Sequence, residues 1–396
     1  MLARMLRYLL PLIALAGCKG DARLPGALPT TAEAARPEAA RPETSTSRRF
    51  AEAGTITPGA QAVVVRPDSS VVAVGGRTPK SPWQARPDVW LFDPRTSAWR
   101  AGPPLGIARN DLTALVLADG ALLVFGGTHE DREVAIVERL DAGATSWKRV
   151  APMPAPAHYL AAVVLPSGSV FAATGQRGYD CVANAWLYDP AKDHWATVTP
   201  ALEGRIGADM VLDGSGSPVV LGGDCQGVRD VRGATSMKYD IAHDAWSEGT
   251  LSVALGAAHM GVLALGDGTT LVAGGLGVGA AATSTVAILD ANGKTWKPVA
   301  AMLSPRMAVT LARVGGGSIL AYGGTDDPAD LHVELYDVRT QRWFRGPELP
   351  AARHHETHAV SLRDGRVLVV AGFDAMTEIY SGQTWLYGQE SRNRSE

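Results

Sequence analysis

Three short sequence features recur in a fixed order seven times along this chain of 396 residues. A glycine, usually within a Gly-Gly pair, ends an apolar run. An aromatic residue or leucine followed by Asp comes next, and a tryptophan follows that. The steps between the last glycines of successive repeats are 51, 48, 48, 52, 49 and 48. Self-similarity with this period indicates repeated supersecondary units that stack on one another.

The members of each series can be read directly from the sequence. The glycine series is Gly75-Gly76, Gly126-Gly127, Thr174-Gly175, Gly222-Gly223, Gly274-Gly275, Gly323-Gly324 and Ala371-Gly372. The second series is Phe92-Asp93, Leu140-Asp141, Tyr188-Asp189, Tyr239-Asp240, Leu289-Asp290, Tyr336-Asp337 and the degenerate Tyr380-Ser381. The tryptophan series is Trp99, Trp147, Trp195, Trp246, Trp296, Trp343 and Trp385.

Each repeat contains four short strand-like runs. In the second repeat the turn Ala118-Asp119-Gly120 joins the first two runs, which is a hairpin signal. No window has a convincing helical period of apolar residues. A four-stranded sheet of this kind has two apolar faces, and stacking the sheets in a closed ring buries both. The sequence therefore predicts an all-β fold.

The order Gly-Gly, aromatic-Asp, Trp resembles the kelch-repeat family of β-propellers, and the resemblance covers about residues 54–388. It implies a seven-bladed β-propeller of four-stranded antiparallel blades over residues 51–388, with a tail at 389–396. Two closures of the ring are open. The C-terminal run that contains Trp385 could supply the outermost strand of the seventh blade, or the segment near Phe50 could do so. We favour the C-terminal run because it retains the indole.

The segment from Met1 to Cys18 has the character of an export signal. Arg4 and Arg7 precede an apolar run that is too short to span a bilayer, and Leu15-Ala16-Gly17-Cys18 follows. This segment resembles a bacterial lipoprotein signal with its lipobox, which implies cleavage before Cys18 and lipidation of its thiol. In such lipoproteins an Asp after the cysteine commonly marks retention in the inner membrane. Because Lys19 stands there, we expect an outer-membrane lipoprotein, facing either the periplasm or the cell exterior. The alternative is an ordinary secretory signal.

Residues 19–50 are predicted to be a tether between the anchor and the propeller. The part from Thr31 to Arg49 is rich in Ala, Pro and Thr and lacks Val, Ile, Leu and aromatic residues. Such a segment buries too little apolar surface to offset its ordering entropy. Residues 51–396 contain 29 Lys and Arg against 36 Asp and Glu, a net charge of −7. This acidic body argues against nucleic acid or an anionic membrane surface as the partner.

Alignment of the repeats on their glycines brings polar residues together at one end of the predicted channel. This is the end with the long loops, where function is usually found. The aligned residues are Arg109, Asn110, His158, Tyr159, Arg205, His259, Arg306, Arg353, His354 and His355. They could form a basic ring at the channel mouth that holds an anionic or sugar-like ligand. Alternatively they could tie adjacent blades together by hydrogen bonds, which is common in kelch blades.

We predict no metal and no cofactor. His354, Glu356 and His358 would share one side of a strand, but their spacing is not a strong zinc pattern. Some kelch-like propellers are copper radical oxidases, and their Tyr-His pair is approached here only in reversed order by His158-Tyr159.

Apart from Cys18, the cysteines are Cys181 and Cys225, both in long loops of adjacent repeats. An oxidising compartment favours a disulfide between them, and two free thiols are the alternative.

These features suit a monomeric, membrane-anchored module that binds a protein or glycan through its loop-rich face. A second hypothesis is a carbohydrate-active enzyme at the channel mouth, and a third is a structural subunit of an envelope complex. No acid–base pair and no activated nucleophile can be singled out in the sequence. The binding module is therefore the favoured prediction.

Overall fold

The computed structural model describes residues 48–390 except 81–83, 224, 226–235, 250–254, 256–257, 278–280, 325–331, 349–353, 356, 371 and 375–376. Of His354, His355, Gln389 and Glu390 it describes the backbone only. The regular secondary structure of these residues consists of strands. No helix among them is long and apolar enough to cross a membrane.

Thirty-five strands make up the described part of the chain. In order they are β1 (Arg48–Thr55), β2 (Ala62–Val65), β3 (Val71–Arg77), β4 (Ala85–Asp93), β5 (Ala98–Ala101), β6 (Thr113–Val116), β7 (Leu122–Phe125), β8 (Thr128–His129), β9 (Arg132–Glu133), β10 (Val137–Leu140), β11 (Lys148–Val150), β12 (Ala161–Val164), β13 (Val170–Ala173), β14 (Gln176–Arg177), β15 (Asp180–Cys181), β16 (Ala185–Asp189), β17 (His194–Thr197), β18 (Asp209–Leu212), β19 (Pro218–Leu221), β20 (Ser236–Asp240), β21 (Ala245–Gly249), β22 (Gly261–Ala264), β23 (Thr270–Ala273), β24 (Val286–Leu289), β25 (Trp296–Val299), β26 (Thr310–Val314), β27 (Ser318–Tyr322), β28 (His332–Asp337), β29 (Arg342–Glu348), β30 (His354–His355), β31 (His358–Ser361), β32 (Val367–Val370), β33 (Phe373–Asp374), β34 (Ile379–Tyr380) and β35 (Gln383–Glu390).

Seven four-stranded antiparallel sheets form the blades of a β-propeller, as the sequence predicts. From the inner to the outer strand, blade one is β2-β3-β4-β5, blade two β6-β7-β10-β11, blade three β12-β13-β16-β17, blade four β18-β19-β20-β21, blade five β22-β23-β24-β25, blade six β26-β27-β28-β29 and blade seven β31-β32-β35-β1. Each innermost strand contacts the innermost strand of the next blade, and β31 contacts β2. The ring is therefore closed.

The second strand of each blade is buried on both faces, because each face packs against a neighbouring blade. Leu122, Leu123, Val124 and Phe125 of β7 are all fully buried. This burial on both sides explains the continuous apolar runs in the sequence. The glycines that follow allow close approach of the next blade. A Cβ on Gly126 would lie 2.6 Å from the carbonyl oxygen of Ala157.

Six of the seven recurring tryptophans lie on or next to the outermost strand of their blade. In four blades the indole Nε1 atom donates a hydrogen bond to a backbone oxygen of the preceding blade's exit segment, and in blade one Trp99 Nε1 bonds Thr384 Oγ1 of blade seven at 3.0 Å. The four bonds to backbone oxygens are Trp147 to Pro103 (2.8 Å), Trp195 to Ala151 (3.0 Å), Trp246 to Thr199 (2.8 Å) and Trp343 to Ala300 (2.8 Å). The indole thus fills the space between sheets and also satisfies a backbone acceptor.

The expected C-terminal closure of the ring is wrong. Strand β1, from the N-terminal side, is the outermost strand of blade seven and pairs with β35. Trp385 lies on the third strand, opposite Val369. Phe50 takes the tryptophan position, and Tyr387 rather than Tyr380 takes the aromatic position opposite it. Their ring centroids are 5.0 Å apart, which matches the 5.1 Å between Phe92 and Trp99 in blade one.

The seventh sheet extends beyond the predicted domain limits of 51 and 388. Strand β1 begins at Arg48, and β35 ends at Glu390. The additional residues pair with each other, Arg48 with Glu390 and Arg49 with Gln389. The predicted signal, most of the tether and most of the tail lie outside the described residues.

Candidate functional site at the channel mouth

Strand connectivity gives the propeller two unlike faces. The turns from first to second and from third to fourth strand lie on one face. The loops from second to third strand and the links between blades lie on the other, which we call the loop face. Hairpins β8–β9 and β14–β15 belong to the loop face. The innermost strands also begin there, so the channel mouth and the long loops share one side of the molecule.

The three aligned arginines at the mouth are buried instead of forming an exposed basic ring. Arg109 and Arg306 are 0% exposed and Arg205 is 3% exposed. Each Nη1 atom donates to the first glycine carbonyl of its own blade. These bonds are Arg109 to Gly126 (3.0 Å), Arg205 to Gly222 (3.0 Å) and Arg306 to Gly323 (2.9 Å). These side chains are structural, but they tie each link to its own blade and not adjacent blades to each other, as the alternative interpretation of the sequence had it.

Carboxylates neutralise the three guanidinium groups. Arg109 Nη2 lies 2.7 Å from Glu138 Oε2, and Arg306 Nε lies 3.0 Å from Glu334 Oε1. Both glutamates are 2% exposed, and both also accept backbone N–H groups of the link that enters their blade. Arg205 pairs with the more exposed Glu203 at 2.6 Å. Burial lowers the pKa of Arg109, and the charge of Glu138 opposes that effect.

In blades two to six, the residue two positions before the innermost strand adopts a left-handed backbone at the channel mouth. We call these five residues the collar: Asp111 (φ 55°), Tyr159 (φ 54°), Gly207 (φ 65°), His259 (φ 55°) and Ala308 (φ 51°). The backbone N–H of Tyr159 donates to the Asp111 carbonyl at 3.3 Å, and that of Ala308 donates to the His259 carbonyl at 2.7 Å. These bonds connect neighbouring blades around the mouth.

His158 and Tyr159 lie together on the loop-face side of blade three. Their ring centroids are 4.9 Å apart, and His158 Nδ1 is 3.8 Å from Glu133 Oε1. Burial lowers the pKa of His158, although Asp111 and Glu133 act in the opposite direction. The imidazole is therefore neutral at pH 7. Tyr159 is 40% exposed, so its ring is available at the surface.

The remaining predicted residues have different outcomes. The backbone of Asn110 pairs with Thr128, and its side chain is half-buried. Arg353 lies outside the described residues, as does Cys18. His354 and His355 form β30 and pair with β33, and their side chains are not described. His358 Nε2 bonds the Ala60 carbonyl at 3.1 Å. Among the residues described, no three His, Cys, Asp or Glu side chains are grouped to hold a metal ion.

Cys181 and Cys225 form a disulfide with their Cα atoms 5.6 Å apart. Cys181 ends β15 of blade three, and Cys225 follows the glycine pair of blade four. The bond therefore connects loops of two adjacent blades across the loop face. In the chain-entropy view, a link across 44 residues stabilises the fold by about 4 kcal/mol.

Comparisons with known proteins agree with this architecture. A family model described as "Kelch motif" matches residues 58–106, within blade one and its flanks. Kelch-like protein 36 of Bos taurus is 24% identical over 310 residues, which are 73% of this chain and 48% of that protein. Kelch-like protein 35 of Mus musculus is 30% identical over 118 residues, or 29% and 20% of the two chains. The chain is a kelch-repeat β-propeller.

Solved structures share the fold of this kelch propeller at low sequence identity. A fungal alcohol oxidase in complex with copper has a TM-score of 0.66 and 15% identity, covering 87% of this chain and 76% of its own. The protein YjhT has a TM-score of 0.55 and 16% identity, covering 71% of this chain and 95% of its own. The chain spans less than half the length of the curated kelch relatives described above.

Two polar groups of the kelch propeller were missed by sequence reasoning. Arg77 ends the second strand of blade one, and its Nη2 lies 2.9 Å from collar residue Asp111. Its guanidinium also lies 5.4 Å from the centre of the Tyr380 ring. Asp209 begins the innermost strand of blade four, and desolvation raises its pKa to about 6. Alignment of the repeats would have identified Asp209 as the only acidic residue at that position.

Proposed function

We propose that this kelch propeller is a non-catalytic module that binds a partner protein on its loop face and is held at the bacterial outer membrane by lipidated Cys18. Kelch-repeat proteins generally mediate protein interactions, which is the background for the proposal. The observation that carries it is an exposed aromatic and apolar patch on braced loops. The buried, neutralised arginines argue against a basic ligand site at the mouth.

The patch is centred on the turn of hairpin β14–β15. Tyr179 at that turn is 67% exposed, and Leu202 in the next link is 55% exposed. The hairpin and the link that carry them are in contact, since a Cβ on Gly204 would be within 3 Å of Cys181. Large aromatic side chains presented on a protein surface commonly supply most of the binding energy of an interface.

Covalent and hydrogen bonds hold the loops around this patch. The backbone N–H of Gly178 donates to Glu133 Oε1 of blade two at 2.9 Å. The Cys181–Cys225 disulfide continues the brace into blade four. Three consecutive blades thus support one surface. A surface that is already ordered loses less conformational entropy when a partner binds.

Exposed charged side chains adjoin the patch. Arg177 precedes the turn, Asp180 follows Tyr179, and Glu203 follows Leu202 and pairs with Arg205. An aromatic and apolar centre with charges of both signs at its margin suits a protein surface that has apolar residues and a complementary charged rim. Complementary charge of this kind accelerates association and selects among partners.

The anchoring part of the proposal depends on the lipobox. The chain enters the propeller through β1, the outermost strand of blade seven. Several acyl chains bind a membrane far more strongly than one. Radiolabelled palmitate should be incorporated into the full chain and not into Cys18→Ala, and equal labelling of both would reject the anchor.

The binding proposal is tested with a matched pair of variants. Tyr179→Ala removes the centre of the patch, whereas Ile241→Ala removes a side chain of 44% exposure from a turn on the opposite face. We expect protein crosslinking in envelope preparations to fall at least tenfold for the first variant and to stay unchanged for the second. Equal crosslinking by both would reject the patch. A glycan captured in place of a protein, or turnover of a sugar substrate, would reject the proposed partner class.

A further inference from the structure

The channel wall contains a carboxylate whose setting differs from that of its equivalents. Asp209 pairs across the sheet with Leu221, and Leu221 packs with Met260 and Val272 of blade five. Because cross-strand partners point to the same face, Asp209 is directed toward blade five at the inner edge of the sheet. The side chain is nevertheless exposed, and the space it faces is the channel.

At the same position in three other blades, a polar side chain bonds the backbone of the next blade. Thr113 Oγ1 donates to the Leu160 carbonyl at 2.9 Å, Thr310 Oγ1 accepts the Ala359 N–H at 3.2 Å, and His358 Nε2 bonds the Ala60 carbonyl at 3.1 Å. The side chain of Asp209 has no hydrogen bond or ion pair with any other described residue. An ionised carboxylate has no proton to donate to a carbonyl oxygen, so Asp209 cannot make the bond that its equivalents make, and its charge remains available to a cation that enters the channel.

The collar is open directly beside this carboxylate. Blade four contributes Gly207 to the collar, where two of the other blades contribute the rings of Tyr159 and His259. His259 Cε1 lies 4.0 Å from where a Cβ on Gly207 would be. The missing side chain leaves room between blades three and five. The His259 ring therefore lies at the edge of this opening.

Among the described residues, the charged groups near Asp209 are paired with others. The collar carboxylate Asp111 is paired with Arg77 at 2.9 Å. Arg205, at the start of blade four, is paired with Glu203. One carboxylate with flanking rings is the arrangement that holds an organic cation, because ring faces attract ammonium and guanidinium groups. Within the described part of the chain, no group of three or more metal-ligand residues competes with this interpretation.

We propose that the channel mouth of blade four is a binding site for an ammonium or guanidinium group, which enters beside Gly207 and pairs with Asp209. The group is a lysine or arginine side chain of the partner protein, or a free organic cation. The first source depends on the proposed function of the loop face, and the second does not. The net charge of −7 over residues 51–396 favours the approach of a cation from either source.

The probe for the site itself is n-butylguanidinium chloride, titrated at pH 7.5 and constant ionic strength into the purified propeller by calorimetry. A single ion pair with ring contacts predicts a Kd of roughly a millimolar. Asp209→Asn should weaken binding about tenfold or more. The matched control is Asp131→Asn, which removes the same charge from an exposed turn of blade two and should bind like the wild type. Equal affinity of Asp209→Asn and wild type would overturn the proposal.

A second variant leaves the carboxylate in place. Gly207→Asn fills the opening and retains a residue type that tolerates positive φ. It should weaken butylguanidinium binding about fivefold or more while Asp209 stays ionisable. In the wild type, saturating probe should lower the pKa of Asp209, followed by carboxyl carbon NMR. An unchanged pKa of Asp209, or unchanged affinity of Gly207→Asn, would contradict the site even if Asp209→Asn folds poorly.

Partner crosslinking distinguishes the two sources of the cation. If the partner inserts a basic side chain, Asp209→Asn and added butylguanidinium should both reduce crosslinking through the Tyr179 patch. If only butylguanidinium binding is lost, the site takes a free organic cation. If butylguanidinium never binds while Tyr179→Ala still abolishes crosslinking, the cation site is refuted and the binding module stands.

Discussion

Replacing Arg109 with methionine tests whether the arginines at the mouth support the fold or bind a ligand. The side chain is 0% exposed, and its guanidinium bonds Glu138 at 2.7 Å and the carbonyls of Gly126 and Ile136 at 3.0 and 2.9 Å. A methionine side chain has a similar length but carries no hydrogen-bond donor. The variant therefore leaves the Glu138 carboxylate in the interior with one remaining partner, the N–H of Gly106.

The expected loss of unfolding free energy is about 3–5 kcal/mol, because an unpaired interior charge is much less stable than the pair. The double variant Arg109→Met, Glu138→Met removes both charges and should lose less than the sum of the two single variants. A coupling energy of about 1–3 kcal/mol is expected for groups in direct contact. Arg100→Met, on the exposed face of β5, is the control and should change stability by less than about 0.5 kcal/mol.

Urea unfolding followed by tryptophan fluorescence measures these differences. Crosslinking to the partner, measured well below the unfolding midpoint, should be the same for Arg109→Met and wild type. A variant that unfolds within about 1 kcal/mol of wild type and has lost its partner would refute the structural role. The basic ring predicted from sequence would then be the correct description.

Three further outcomes are expected. The pKa of Asp209 is raised to about 6 from 3.8, so between these pH values the native state binds more protons than the unfolded state. Asp209 therefore lowers the stability of the native state as the pH rises from about 4 to about 6. Channel water weakens the effect. Asp209→Asn should raise the free energy of unfolding by about 1 kcal/mol at pH 7.5 and leave it unchanged at pH 3.5. An equal gain at both pH values would reject the raised pKa of Asp209. Reduction of Cys181–Cys225 should cost up to about 4 kcal/mol in thermal unfolding and expose the Gly178 region to proteolysis, and unchanged protease sensitivity would exclude the brace. Removing residues 1–55 should unfold blade seven because it deletes β1, whereas removing 1–46 should leave the melting temperature unchanged.

The sequence predicts the number and the strand content of the blades because the repeat constrains both. Each series marks a place where sheets meet, and burial of the second strand on both faces makes the apolar runs continuous. The buried position of the arginines could not be predicted in the same way. The carboxylate partners of Arg109 and Arg306 lie 29 and 28 residues further along the chain, on the third strand, and no local motif marks them.

The error in ring closure had a signal in the spacing of the sequence. The interval from Gly372 to Trp385 is much shorter than the interval from the last glycine to the tryptophan in any of the first six repeats. Tyr387 falls at the distance from its glycine that is typical of the aromatic before Asp, whereas Tyr380 comes too early. Indoles also occur on third strands, at Trp90 and Trp186, so the residue type alone does not identify the outer strand.

In a repeat protein, the side chains that recur describe the scaffold, and departures from the repeat identify candidate sites. The guanidinium-to-glycine bond recurs at the same separation of 17 residues in blades two, four and six, which indicates a tie needed by every such blade. A ligand that binds on one side of the mouth would not require the same residue in three separate blades. Gly207 lacks a side chain where the other collar residues have one. Asp209, two residues later, is acidic where the other blades have no acidic residue. The same reasoning favours Tyr179. The corresponding turn in the hairpin of blade two holds Glu130 and Asp131 and has no aromatic residue.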